Sequence, residues 1–223
     1  MENIKFNVLK KSPLFYNIAE KDLEIMLNCL SVQEKTYPKN TFIFNDGDNV
    51  STVGIVLRGS VHIIKEDFWG NRRIISQIGI SDIFAETFSC AQVEKIPVSI
   101  VTNERTEIML IDYKRIINTC SSSCLFHSYL IQNMLKIIAN KNILLTQKIE
   151  HITQRTTREK LISYLSAQAK ISNHHTFTIP FNRQELADYL SVDRSAMSSE
   201  LSKLQKEGLL KFECNTFKFI GSL

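Results

Sequence analysis

Apolar positions recur in three different rhythms along the chain. From about residue 35 to 111 they come in short, β-branched runs separated by turn residues. Thr52-Val-Gly-Ile-Val-Leu57, Ser60-Val-His-Ile-Ile64, Ile74-Ile-Ser-Gln-Ile78 and Glu107-Ile-Met-Leu-Ile111 are such runs, and each reads as a strand. Five of the seven glycines fall in this stretch, where tight turns need positive φ angles. Many short strands with regular turns predict a sandwich or barrel-like β unit. Phe68-Trp-Gly-Asn71 reads as the tip of one hairpin, with its aromatics packed rather than offered to a partner.

From about 113 to 152 the rhythm is helical. Ile131, Ile138, Leu145 and Ile152 recur every seven residues, and Leu130, Ile137 and Leu144 form an adjacent column. A helix on a monomer surface needs only one apolar stripe. Two columns predict that one faces the β unit and the other a second helix. The β unit is too short to cover a helix of this length, so a homodimer is expected. Its interface would run through Ile131, Met134, Ile138, Leu145 and Ile152. The positions between these columns, Met134, Lys141 and Lys148, are mostly polar, so a strict leucine zipper is not expected.

Residues 153–223 predict a helix over Thr156–Gln168, a short strand at Phe177-Thr-Ile179, two further helices and a hairpin. Asn182-Arg-Gln-Glu185 is a capping signal. Leu186, Ala187 and Leu190 then form one apolar face. Ser191-Val192 is a tight connection, and Asp193 caps the next helix. There Met197, Leu201 and Leu204 face inward, while Arg194, Ser195, Ser198, Ser199 and Ser202 lie opposite. A small polar face with an arginine at its N-terminal end suits entry into a major groove about 12 Å wide. Gly208 ends the helix, and Leu209–Cys214 and Phe217–Ile220 flank a turn at Asn215-Thr216. Two such helices followed by a hairpin make a winged helix-turn-helix.

Composition changes this picture little. Apolar residues make up 43% and charged residues 22%, as in soluble globular proteins. No apolar run approaches the ~18 residues of a membrane span, and Met1–Lys11 lacks the core of a signal peptide. A cytoplasmic protein is expected. The five cysteines are odd in number and widely spaced, which favours thiols over a disulfide framework. Residues 151–223 hold 10 Lys and Arg against 7 Asp and Glu, a net of +3, whereas residues 1–150 hold 17 against 16, a net of +1. That lean is compatible with nucleic acid. There is no phosphate-cradling glycine loop, no Ser-His-Asp order in context and no framed pair of carboxylates. His174-His175 lies in a polar loop and reads as solvated. No catalytic residue is expected, and the chain does not read as an enzyme.

The chain resembles the Crp/Fnr family of bacterial transcription regulators. The resemblance rests on Phe181-Asn-Arg-Gln-Glu-Leu-Ala-Asp-Tyr-Leu190, Asp193-Arg-Ser-Ala-Met-Ser-Ser-Glu-Leu201, Leu204 and Glu207-Gly-Leu209. Upstream it continues in Thr156-Thr-Arg-Glu-Lys-Leu161, Gly47 and Arg58-Gly-Ser-Val61. It implies an α+β fold in three regions: a double-stranded, jelly-roll-like β-roll with N-terminal helices over 1–112, a long dimerisation helix over 113–152, and a winged helix-turn-helix over 153–223. It implies a homodimer on a two-fold DNA site, with RNA polymerase as a further partner. By position, Arg194, Ser195 and Ser199 would face bases, and Asn182, Arg183, Gln184 and Ser198 would face phosphates. Many members carry an acidic residue and an arginine where this chain has Ser195 and Ser199, so a different operator is expected.

The resemblance also implies an effector in or near the roll. Cyclic-nucleotide binders of the family place a Gly-Glu pair in a short helix and an Arg-Ser pair after it. Here the matching stretches read Phe84-Ala-Glu-Thr87 and Lys95-Ile-Pro-Val98. Without the arginine a buried phosphate lacks its bidentate partner, so cyclic AMP is not expected. Another small anion or metabolite could occupy a pocket around Ala85, Glu86, Thr87 and Lys95. The oxygen-sensing branch needs several cysteines near the N-terminus, and only Cys29 is there. Cys120, Cys124 and His127 share a helical face and are weak candidates for zinc, haem or a redox pair. Three residues do not complete a metal site, and no metal is expected. The competing reading of the whole chain is a ligand- or redox-sensing module that acts through protein partners rather than DNA.

Overall fold

The structure, a computed structural model, describes residues 2–67, 69, 72–118 and 125–220. Two compact units divide the chain, residues 1–139 and 140–223.

The first unit opens with helices α1 (Glu2–Lys11) and α2 (Glu20–Leu30), joined through a 3-10 turn at Pro13–Phe15. Eight strands follow: β1 (Gln33–Tyr37), β2 (Phe42–Phe44), β3 (Thr52–Arg58), β4 (Val61–Glu66), β5 (Arg72–Ile78), β6 (Ile83–Phe84), β7 (Ser99–Thr102) and β8 (Thr106–Asp112). They form two antiparallel sheets in the orders β1-β8-β3-β6 and β2-β7-β4-β5. Short helix α3 (Glu86–Cys90) follows β6, and α4 (Tyr113–Ile117) follows β8. This is the expected β-roll.

The strand patterns explain the layering. Strands β3 and β8 are apolar almost throughout because both of their faces are covered. Val56, Ile108 and Leu110 point between the sheets, where they meet Val61, Ile78, Phe84, Ile96 and Ile100. On the other face, Val53, Ile55, Met109 and Ile111 pack with Leu9, Leu23, Met26 and Leu30 of the N-terminal helices. Gly54 lies under the Phe84 ring. A Cβ there would come within 2.1 Å of a ring carbon, so no other residue fits without displacing the ring.

The predicted helix over 113–152 is two helices. After α4 comes α5 (Leu125–Ile152), a single 28-residue helix. Leu130, Met134 and Ile137 of α5 are buried in the first unit's core. Asn133 is buried too, and its amide donates to the Leu14 and Tyr16 carbonyls at 2.9 and 2.8 Å. These bonds tie the N-terminal turn to α5 without leaving a buried donor unpaired. Met134, expected at the dimer interface, is therefore committed to its own chain. The 3.6-residue period places it beside Leu130 and Ile137 rather than beside Ile131 and Ile138.

The second unit holds α6 (Thr157–Ser172), β9 (Thr176–Thr178), α7 (Arg183–Leu190), α8 (Arg194–Lys206), β10 (Leu210–Glu213) and β11 (Thr216–Phe219). Strands β10-β11-β9 form a three-stranded antiparallel sheet. The hairpin turn is Cys214-Asn215, one residue earlier than the sequence suggested, with Cys214 left-handed at φ 49°. The core joins Leu161, Leu165, Leu186, Ala187, Leu190, Met197, Leu201, Leu204 and Phe217. No helix among the described residues is long and apolar enough to cross a membrane.

Candidate nucleic-acid interface

Helices α7 and α8 begin where the sequence puts their caps. Asn182 Oδ1 accepts from the Gln184 and Glu185 amides at 2.9 and 3.0 Å, and the Asn182 amide donates to Glu185 Oε2 at 2.7 Å. This reciprocal box fixes the first turn of α7. Ser191, left-handed at φ 53°, ends the helix. The Val192 amide donates to the Ala187 carbonyl at 3.0 Å, closing the turn into α8. Asp193 then caps α8 through the Ala196 amide at 2.9 Å. The Ser195 hydroxyl also donates to Asp193, and these bonds hold its carboxyl below the usual carboxylate range.

The outward face of α8 is the expected one. Arg194, Ser195, Ser198, Ser199 and Ser202 are exposed, while Met197, Leu201 and Leu204 are buried. Within that face the serines differ. Ser195 shares the cap carboxylate, and the Ser202 hydroxyl donates back to the Ser198 carbonyl at 3.0 Å. Ser199 opens onto a groove of about 520 Å³ shared with Thr156, Thr157 and Arg158 at the start of α6 and with Lys203. Thr156 and Glu159 form a second capping box there. Arg158 makes a two-pronged ion pair with Glu207 at the end of α8, which ties α6 to α8. The groove joins a helix N-terminus and a hydroxyl, groups that suit phosphate oxygens, with Lys203, whose ammonium is paired with the Glu200 carboxylate on the same wall.

The residues expected at phosphates are mostly occupied. Asn182 Oδ1 is used by the cap. The Gln184 side-chain amide donates to Asp188 at 2.9 Å. Arg183 is half-buried, with its guanidinium 4.8 Å from the centre of the Phe212 ring and 5.0 Å from that of Phe217. Burial draws its pKa below the ordinary arginine value. It is a strut between α7 and the β10–β11 wing. The sequence signal for this clamp is the pair Phe212 and Phe217, which face each other across the β10–β11 hairpin. Ser198 remains exposed.

A second aromatic group lies at the end of α5. His151 is buried, its Nδ1 2.8 Å from Ser163 Oγ and its ring edge-on to Tyr164 at 5.7 Å. Tyr189 and Phe181 complete the group. Burial lowers the imidazole pKa, and the Glu150 carboxylate partly offsets this.

In the roll, Ala85 adopts the left-handed conformation at φ 65°, the one glycine takes most easily, and starts α3. Glu86 is buried, with its Oε1 accepting from the Thr87 hydroxyl at 2.9 Å. Lys95 and Thr87 are exposed. Ile96 stands where a cyclic-nucleotide binder would have its phosphate arginine, and it is fully buried in the apolar interior of the roll. Its backbone is pinned to the turn at Gly47 and Asp48 by bonds of 2.8 and 3.0 Å. Glu86 is the only charged side chain buried among the described residues. An isoleucine at the arginine's position gives a cyclic phosphate no two-pronged partner there. Cys120 and Cys124 lie outside the described residues, as do Phe68, Gly70 and Asn71. His127 is buried, and its Nδ1 has no hydrogen-bond partner. No group of three His, Cys, Asp or Glu among the described residues is placed to hold a metal.

On α5, Ile131, Ile138 and Ile152 are partly buried, whereas Leu135, Ile143, Leu144, Leu145 and Ile149 are exposed.

Residues 34–123 match the family described as the cyclic nucleotide-binding domain, and residues 159–218 match the Crp-like helix-turn-helix domain. The chain is 25% identical over 199 residues to the CRP-like protein Clp of Xanthomonas euvesicatoria pv. vesicatoria, covering 84% of each sequence. Its fold is similar to that of the c-di-GMP-responsive global regulator CLP of Xanthomonas campestris. That match has a TM-score of 0.55 at 22% identity and covers 90% of this chain and 100% of the other. The catabolite activator protein of Thermus thermophilus matches with a TM-score of 0.50 at 21% identity, over 94% of both chains.

Proposed function

The chain belongs to the Crp/Fnr family of transcription regulators, and from that premise we propose that it binds a two-fold DNA site as a homodimer, sequence-specifically, in the cytoplasm. The supporting observation is the capped α7–α8 pair, whose second helix buries Met197, Leu201 and Leu204 and turns Arg194 and four serines outward. Arg194 reads guanine through its two-pronged guanidinium. Ser195 and Ser199 contact neighbouring base edges or bridging water. The α6–α8 groove and Ser198 hold phosphates. Asn182 and Gln184 position α7 and can still offer amide N–H groups to the DNA backbone, and Arg183 holds the wing. RNA polymerase is the expected protein partner once DNA is bound.

An effector at the roll would act only through a difference in its affinity for two arrangements of the protein. The buried Ile96, standing where a phosphate-binding arginine would be, argues that this effector is not a cyclic mononucleotide. A pocket around Ala85, Glu86, Thr87 and Lys95 would favour a ligand that donates hydrogen bonds to the carboxylate. Selection of DNA from a random pool tests the reading. A symmetric site is expected, with half-sites about one helical turn, or ~10 bp, apart. Binding without sequence preference, governed by salt alone, would overturn it.

A further inference from the structure

The exposed positions of α5 form a seam that differs from the one its seven-residue columns first suggest. With Ile131, Ile138, Leu145 and Ile152 as the d positions of a heptad, the a positions are Leu135, Asn142 and Ile149. Met134, three residues after a d position, belongs to the chain's own core. Leu135, Leu145 and Ile149 are 62%, 57% and 49% exposed. Asn142 is exposed among them and is the one polar residue at the a and d positions from Ile131 to Ile152.

We infer that Asn142 is the residue that makes this helix pair with a second copy of the chain as two parallel strands in one register. The inference rests on the homodimer reading above. The apolar seam residues alone do not favour two strands. Leucine at a with isoleucine at d, as in Leu135 with Ile131 and Ile138, shifts coiled coils toward higher oligomers. A single asparagine at a has the opposite effect, because only a paired register lets each amide bond its counterpart.

Orientation follows from the same residue and its neighbours. In the parallel pair Asn142 meets Asn142, and every other layer is apolar. In an antiparallel pair that sets Leu135 against Ile152 and Ile138 against Ile149, Asn142 falls opposite Leu145 of the other copy and loses its partner. The flanking charges agree. Lys141 and Lys148 occupy g positions, and Ala139, Thr146 and Thr153 occupy e positions. Parallel strands bring g beside e and so place each lysine near a neutral residue. Antiparallel strands bring g beside g and turn Lys141 toward Lys148.

Sedimentation equilibrium of the full chain and of its Asn142→Leu and Asn142→Lys variants tests this, with circular dichroism as a check on folding. The natural chain and Asn142→Lys should sediment at twice the chain mass of 25.6 kDa. Asn142→Leu should move to three or four chains, or to a mixture, with helix content kept and melting temperature raised. A natural chain that stays monomeric would overturn the dimer reading itself. A natural dimer whose Asn142→Leu variant also remains strictly two-chained would overturn the role of Asn142 alone. An Asn142→Lys variant that leaves the two-chain state would do the same.

Discussion

Arg183 and Arg194 lie eleven positions apart, and the sequence assigns both to DNA. The structure separates them, because Arg183 lies across two wing rings while Arg194 projects from the first turn of α8. Arg183→Ala should cost about 1–2 kcal/mol in thermal stability, the worth of a partly buried cation–π pair with its packing. It should leave the salt dependence of DNA binding unchanged. A slope reduced by ~0.9 with stability intact would instead make Arg183 a phosphate contact. Arg194→Ala should weaken binding to the selected operator by about tenfold to a hundredfold and relax preference at one base pair in each half-site. An equal loss on all sequences would reassign Arg194 to the DNA backbone. The outward set on α8 was legible because one period fixes both faces of a helix. The clamp was not, because a guanidinium's choice between phosphate and a ring depends on which strand lies opposite, and that is a tertiary fact.

Among the elements, the caps were the most legible. Asn182 with Glu185 and Asp193 act within a few residues of themselves, so local sequence decides them. Strands β3 and β8 were legible as strands, but their double coverage needed the helices of the first unit. The seam of α5 was half legible. Leu130 and Ile137 of one column pack into the first unit as a stripe should, but Met134, expected at the interface, turns into the same core. The end of α5 carries its own prediction. The buried His151 imidazole has a pKa below its ordinary value of 6.5. The unfolded chain therefore binds more protons than the folded one as pH falls through that value, so the stabilisation is full above about 6.5 and is lost below it. The melting temperature should drop between about pH 7 and pH 5, and His151→Phe should show a smaller drop. Equal drops in both proteins would move the effect to other groups.

The whole molecule joins a sensor-like fold to a DNA-binding fold, and the first has lost part of what its relatives' name implies. The roll's interior is apolar, with Ile96 in place of a cation. Cyclic AMP or cyclic GMP should leave the melting temperature unchanged, whereas a ligand at a hundred times its Kd would add about 2.7 kcal/mol. A clear upward shift would show that Lys95 or another cation reaches the site after all. The same melting experiment with c-di-GMP tests whether the response of the Xanthomonas campestris regulator extends to this chain. That effector half was the least legible part, because a missing arginine tells what does not bind and leaves the replacement open.

The two stripes of α5 also bear on gene dosage. One stripe is satisfied within the chain; the other, through Leu135, Leu145 and Ile149, is exposed, and in the proposed homodimer a second chain covers it. At cellular levels below the pairing constant, the amount of DNA-competent protein grows with the square of the number of chains. Halving expression would then cut operator occupancy about fourfold. A cell could thus silence such a regulator by making modestly less of it, with no effector involved.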